Sequence, residues 1–278
     1  MTRRYGTQPS VLDSLRRREA TTPPIGGGSA LDRAGPVVIF VHGSMDRQAA
    51  FARVLKHLPD VECVVYDRRG YAASSHVGEP FDVDAHVTDL ELVVDAVGEG
   101  RRSIVLVGHS FGGVVSLALA ARRPEKVAAV AVYESPMSWE SWWSSTSGGA
   151  QAVRTGHDPE LAAENFLKRF IGDERWNGLS EAVRNRRRRE GRVLVAELAD
   201  IRAVRPYVLE NVKCPIVSAV GTRAPDHMRR GARLLAEVGS PIDLVVIDGA
   251  HHNAPMSHPG EFAERVVRPA VALAVTSD

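Results

Sequence analysis

Gly108-His109-Ser110-Phe111-Gly112-Gly113 is the stretch on which the reading of this chain turns. Before it stands Ser103-Ile104-Val105-Leu106-Val107, an apolar, β-branched run with the character of a buried strand. After it, Val114 to Arg122 is rich in alanine and leucine and reads as a helix. A serine on so sharp a strand-to-helix turn is held in a strained backbone conformation, its hydroxyl lifted above the sheet edge. Only small residues fit two positions either side, because larger ones would strike the backbone across the turn. Gly108 and Gly112 meet that demand, and the Phe111 N–H opens the helix facing the place where an oxyanion would form. The pattern is a G-x-S-x-G elbow, and Ser110 is the candidate nucleophile.

Upstream, Val37 to Val41 is a fully apolar run of strand length, as expected inside a parallel sheet. It ends in His42-Gly43-Ser44-Met45, where Gly43 lets backbone approach a ligand and the Ser44 N–H is a candidate second oxyanion donor. Ala49 to Leu58 and Val83 to Val97 carry apolar residues at helical spacing. Val61 to Tyr66 reads as a strand closed by Asp67-Arg68-Arg69-Gly70-Tyr71, in which Asp67 is assigned a structural ion pair or turn role. Val127 to Tyr133 is the next strand and ends at Glu134. Strand and helix alternate throughout, the pattern of an α/β fold with a parallel sheet, whose ligands bind at the carboxyl ends of the strands. His42, Ser110 and Glu134 all stand at such ends.

The alternation breaks after Pro136. Met137 to Asn211 holds no convincing strand, and Leu161 to Phe170 and Ser180 to Leu198 look helical. All four tryptophans, Trp139, Trp142, Trp143 and Trp176, fall here, either lining an apolar pocket or anchoring this segment to the core. The run Arg186 to Arg189 is read as an exposed face, since no aromatic residues interleave with it as a nucleic-acid site requires. The alternation resumes with Pro215 to Val220, a helix from Met228 to Val238 with Asp226 at its start, and a last strand from Ile242 to Ile247. That strand leads into Asp248-Gly249-Ala250-His251-His252-Asn253 and a closing helix from near Pro259.

The 278 residues, 44% hydrophobic, suffice for one large core. A net charge of +1 gives no field for nucleic acid or an anionic membrane. Only Lys56, Lys126, Lys168 and Lys213 are lysine; the arginine, alanine and glycine bias suggests a bacterial coding sequence. Cys63 and Cys214 read as buried inert thiols. Residues 1 to 35 are poorly defined: Arg3-Arg4 and Arg16-Arg17-Arg18 read as solvated charge, and Pro23-Pro24 with Gly26-Gly27-Gly28 as loop. No secretory signal and no membrane-length apolar segment is seen, so a cytoplasmic protein is expected. His251 and His252 are adjacent and chelate one ion poorly, and no phosphate loop appears; neither metal nor cofactor is expected.

Taken together, the strand with His42-Gly43, the Asp67 to Tyr71 turn, the Ser110 elbow, a helical insertion and a late Gly-Ala-x-His resemble the α/β-hydrolase superfamily, in its serine-nucleophile branch with a helical cap. The resemblance spans roughly residues 36 to 275. It implies a mostly parallel central sheet flanked by helices, with a helical cap inserted after the sixth strand. The expected organisation is a core of residues 36–136 and 212–278, a cap of 137–211, and the N-terminal segment 1–35. It makes Ser110 the nucleophile and the N–H groups of Phe111 and Ser44 the oxyanion hole. His252, seven residues before Pro259, matches the family's general base, with His251 where glycine is usual. The chain order of nucleophile, acid and histidine is met.

The acid departs from the usual pattern. Relatives place an aspartate three residues after the glycine that ends the strand following the cap, and here that position is Ala224. Asp226 is two positions late and well suited to start a helix. Other members carry the acid before the cap, which here is Glu134; it ranks first, with Asp226 as the alternative. His42, Met45, His109, Trp139, Trp142 and Trp143 are the expected pocket residues, and the partner is a small apolar molecule. The serine sets aside the branches with an aspartate nucleophile, such as haloalkane dehalogenases and epoxide hydrolases. The leading expectation is a cofactor-independent hydrolase of a carboxylic ester, lactone, thioester or amide. The alternatives are a carbon–carbon bond hydrolase or acyltransferase, and a non-catalytic binding protein that keeps the fold.

Overall fold

A computed structural model of the chain describes residues 10–18, 35–98, 103–239 and 241–276. Arg3-Arg4, Pro23-Pro24 and Gly26 to Gly28 lie outside them. The seven described strands are β1 (Arg16–Arg18), β2 (Val37–Val41), β3 (Glu62–Val65), β4 (Ile104–His109), β5 (Ala129–Tyr133), β6 (Ile216–Gly221) and β7 (Val245–Ile247). The described helices run α1 (Ala52–Leu55), α2 (Val83–Val97), α3 (Phe111–Arg122), α4 (Gly148–Arg154), α5 (Pro159–Ile171) and α6 (Asp173–Asn177). They continue with α7 (Glu181–Arg189), α8 (Gly191–Ala203), α9 (Asp226–Gly239), α10 (Ala254–Ser257), α11 (Pro259–Phe262) and α12 (Arg268–Val275).

The strands form one sheet in the order β1-β3-β2-β4-β5-β6-β7. All pairs are parallel except β1 with β3. The chain therefore builds from β2 toward one edge, then returns to lay β4 on the other side of β2. That reversal opens a crevice at the carboxyl ends of β2 and β4, where ligands settle in such sheets. Every residue of β2, β4, β5 and β6 is buried, which is why these strands read as continuous apolar runs. Their side chains alternate between two cores. Ile39, Leu106 and Val130 face α2 and α3 in one; Phe40, Val107 and Ala131 face the closing helices in the other.

Several expectations are corrected. Arg16 to Arg18 form an edge strand on β3, with Arg17 paired to Glu62. Among the described residues the helical insertion follows the fifth strand. The stretch from Ser180 to Leu198 is helical, as expected, in two helices. They break at Glu190, where α8 comes so close to the chain at Pro159 that a Cβ on Gly191 would lie 1.8 Å from the Pro159 carbonyl oxygen. Nor is the arginine run simply an exposed face. Arg187 bonds Glu190 and the Met45 carbonyl, while Arg188 bonds Glu164 and stacks on Trp176. No helix among the described residues is long and apolar enough to cross a membrane.

Candidate active site

Ser110 occupies the tip of the turn between β4 and α3 with φ +54° and ψ −125°. For a residue with a Cβ, such a conformation stores roughly 1–3 kcal/mol of strain. The glycines make room for it. A Cβ on Gly112 would lie 2.0 Å from the Val41 carbonyl oxygen, and one on Gly108 would lie 2.4 Å from the Gly113 Cα. The turn is tied across the sheet by the Ser110 N–H, which donates to the Tyr133 carbonyl at 2.9 Å. Phe111 is the first residue of α3, so its N–H has no partner within the helix. Gly43 packs against the nucleophile: a Cβ there would stand 3.0 Å from the Ser110 Cβ. Ser44 follows on this loop, and Ser44, Ser110 and Phe111 line one cavity of about 680 Å³.

Glu134 directly follows β5 and takes a left-handed φ of +48°. Its N–H donates to the Ala219 carbonyl, so the residue is fixed between β4 and β6. One carboxylate oxygen accepts from the Gly221 N–H at 3.1 Å, and the other lies 2.7 Å from His252 Nδ1. Burial alone would push this carboxyl up. The His252 hydrogen bond and charge, with the Gly221 N–H, overcome burial and hold it below the usual glutamate range. An ionised Glu134 accepts the Nδ1 proton, which leaves Nε2 of His252 as the basic nitrogen.

The loop bearing His252 is pinned twice more. The Tyr133 hydroxyl donates to the His251 carbonyl at 2.9 Å, and His109 Nε2 bonds the His252 carbonyl at 2.8 Å. Gly221 admits this loop, since a Cβ there would meet the Ala250 carbonyl oxygen at 2.2 Å. His252 lines the same cavity as Ser110, flanked by the Phe170 ring at 5.3 Å. Asp226 lies elsewhere. Its side chain is 96% exposed and bonds Arg229 at 2.6 Å, which draws its carboxyl down.

The expected pocket residues divide. Trp143 lines the cavity that holds Ser110, its ring 4.6 Å from that of His227. Met45 and His109 line a smaller adjoining space of about 280 Å³ that Ser110 and His252 share. Trp142 turns to a neighbouring cleft beneath the Arg230 guanidinium. Trp139 stands instead against Tyr207, and His42 is fully buried. The His42 imidazole bonds the Gly43 carbonyl and accepts from the Arg68 N–H, so it braces the loop from below rather than facing a ligand. Burial and the Arg68 charge lower it to about 4.

Sequence reasoning missed the bracing beneath that loop. Arg68 and Glu197 pair at 2.8 Å with almost no exposure. Arg68 also donates to the His42 and Gly43 carbonyls, and Tyr71 donates to the second Glu197 oxygen at 2.7 Å. Phe166 and Phe170, also missed, line the cavity one turn apart on α5 and were legible only as an i, i+4 aromatic pair. The lining is not uniformly apolar, because Arg169, Arg175, Arg202 and Arg223 stand in it beside these rings. Among the described residues, no three His, Cys, Asp or Glu side chains gather as metal ligands.

The likeness to known proteins runs through the same elements. Over 135 residues the chain is 36% identical to the lipase LipV of Mycobacterium tuberculosis, covering 48% of this chain and 47% of that one. It thus spans about half the length of that relative. A pimeloyl-[acyl-carrier protein] methyl ester esterase of Chromobacterium violaceum is 28% identical over 244 residues, 82% of this chain and 91% of its own. A thermophilic esterase from Thermogutta terrifontis shares the fold with a TM-score of 0.66 at 20% identity, over 87% of this chain and 91% of the other. A profile described as the alpha/beta hydrolase family matches residues 38–265, from β2 through the histidine loop into the closing helices. By that match, which takes in the elbow, the insertion and the loop after β7, the chain belongs to the alpha/beta hydrolase family.

Proposed function

We propose that this chain is a cofactor-independent serine hydrolase that cleaves a carboxylic ester, or a lactone, thioester or amide, through an acyl-enzyme. The observation that carries the reading is the 2.7 Å contact between His252 Nδ1 and Glu134, on the same cavity as the strained Ser110. Ser110 Oγ attacks the acyl carbon while His252 Nε2 takes its proton. Glu134 holds the imidazole in that tautomer and offsets the charge it gains. The N–H groups of Phe111 and Ser44 receive the oxyanion as the carbonyl becomes tetrahedral. His252 then protonates the departing alcohol, and water, deprotonated by the same nitrogen, releases the acid. Names such as lipase and methyl ester esterase among the relatives support the ester as the bond cleaved.

Fluorophosphonate labelling of the purified protein, with the modified peptide located by mass spectrometry, tests the assignment. Adduct is expected on Ser110. The rate is expected to fall on the order of 10³–10⁴-fold in Glu134→Gln and to stay near wild type in Asp226→Asn. Slowing confined to Asp226→Asn would move the acid. A folded wild type that never labels would point to a binding protein on a hydrolase fold.

A further inference from the structure

The cavity above Ser110 holds an uncompensated positive charge. Arg202, on α8, lines it together with Leu198 one turn earlier. Its guanidinium makes two contacts, both to neutral oxygens: the Leu198 carbonyl at 2.7 Å and the Ser147 hydroxyl at 3.2 Å. Among the described residues no carboxylate pairs with it. A guanidinium carries five N–H donors, and the two contacts leave others without a partner among the described residues. The side chain is partly withdrawn from water, and α4 packs beneath it: a Cβ on Gly149 would lie 2.9 Å from Nη2. Burial, then the charge of Arg154, lowers it to about 10, and it stays a cation at neutral pH.

The neighbours add to the imbalance. Arg169, Arg175 and Arg223 line the same cavity, and none pairs with a carboxylate among the described residues. Arg169 donates to the neutral Gln151 side chain, and Arg223 lies 3.3 Å from His251. Among the described residues the one carboxylate on the lining, Glu134, is committed to His252 and Gly221. A cation partly stripped of water and left unpaired is unfavourable unless an anion arrives to share its N–H groups. The helix that bears Arg202 is rigidly held, because Glu197 on α8 is locked to Arg68 in the core.

We propose that the substrate carries a carboxylate remote from its scissile bond, and that Arg202 holds it. The inference rests on reading Ser110, His252 and Glu134 as acyl-transfer machinery, and it names the substrate as a half-ester of a dicarboxylic acid. The planar guanidinium matches a carboxylate through two parallel N–H···O bonds. The hydrophobic walls, Trp143, Phe166 and Phe170, then take the methylene chain between the two ends. The expected apolar ligand becomes an amphiphilic one.

The test compares kcat/KM for monomethyl half-esters of four- to eight-carbon diacids with methyl esters of monocarboxylic acids of equal length, followed by acid release. Wild type is expected to prefer the half-ester at least tenfold at its best chain length, mostly through KM. Arg202→Met is expected to erase the preference, and Arg202→Lys to keep part of it. Adipate is expected to compete with 4-nitrophenyl butyrate more tightly than inorganic phosphate does. Wild type that labels with fluorophosphonate and cleaves both ester series equally overturns the inference and leaves the hydrolase reading standing. Tighter inhibition by phosphate overturns the choice of carboxylate. Failure of labelling and of every ester overturns the hydrolase reading itself. These wild-type comparisons decide the matter even where a variant folds poorly.

Discussion

Arg68 and Arg202 are two arginines drawn out of water near the same serine, and their surroundings are opposite. Arg68 has a carboxylate at 2.8 Å, two carbonyl acceptors, and the rings of Tyr71 and Phe111 within about 5 Å of its guanidinium carbon. Burial would lower it, yet Glu197 raises it above an ordinary arginine. Arg202 has two neutral oxygens and another arginine nearby. Both depend on α8, which supplies Glu197 to the first and carries the second. A buried cation given every partner braces the loop that holds Ser44. A half-buried cation denied a partner is reserved for something that comes and goes.

From this contrast the largest stability loss is expected in Glu197→Ala. Removing one member of a buried pair leaves the other charged and unpaired, at about 3–5 kcal/mol. Urea denaturation measures it, and a loss below about 1 kcal/mol would break the comparison. The double substitution Arg68→Met with Glu197→Leu is expected to recover most of the loss, since well-packed apolar replacements of a buried pair are often neutral.

Acid sharpens the contrast next. His86 touches both Arg68 and Glu197; burial and the Arg68 charge lower it to about 4, and His42 is lowered likewise. The unfolded chain binds those protons near 6.5. Between pH 6.5 and 4 the unfolded state therefore holds more protons, and stability falls as pH falls. Glu197 adds a second window. Burial raises it, Arg68 and His86 pull it down to about 2, and its contribution is full above about 4.5 and lost from there toward 2. Each proton sets a slope of up to about 1.4 kcal/mol per pH unit. His86→Gln is expected to flatten the upper window by about one proton, as read from urea midpoints across pH.

The smallest effect belongs to Arg202→Met. Losing an unpaired, partly desolvated charge is expected to change stability by less than about 1 kcal/mol, or to raise it. A loss as large as that of Glu197→Ala would mean that Arg202 is structural after all. Thermal melts of the two variants side by side make the measurement.

The sequence was legible wherever the short-range rules agreed. Val83 to Val97 is a helix over those same residues because apolar spacing, the Asp82 cap and Gly98 at its end agree. The strands announced themselves because burial on both faces leaves no room for polar alternation. The steric demand behind Gly108 and Gly112 was readable because it is local to the turn. What was not legible depended on the sheet order. The resemblance ranked Glu134 as the acid for His252, but what brings residues 118 apart together is that β6 and the loop after β7 close over the end of β5. His42 stands in a motif that points to a ligand, yet the Arg68 N–H turns its ring inward. Trp139 and Trp143 have the same composition around them, and only packing against Tyr207 or His227 separates their roles. The charge imbalance around Arg202 was invisible for a similar reason, since a missing partner is a property of space.

The Arg68–Glu197 pair also bears on how this chain could be rebuilt. The helices between β5 and β6 look like an exchangeable module, an attractive place to graft another relative's insertion and inherit its selectivity. Yet one helix of that module delivers a carboxylate into the sheet's own core. A transplanted insertion must bring an acid to the same spot, or the recipient must first trade Arg68 for an apolar side chain. The pair works as a compatibility lock between sheet and insertion, and chimeras should be chosen by it before they are chosen by their pockets.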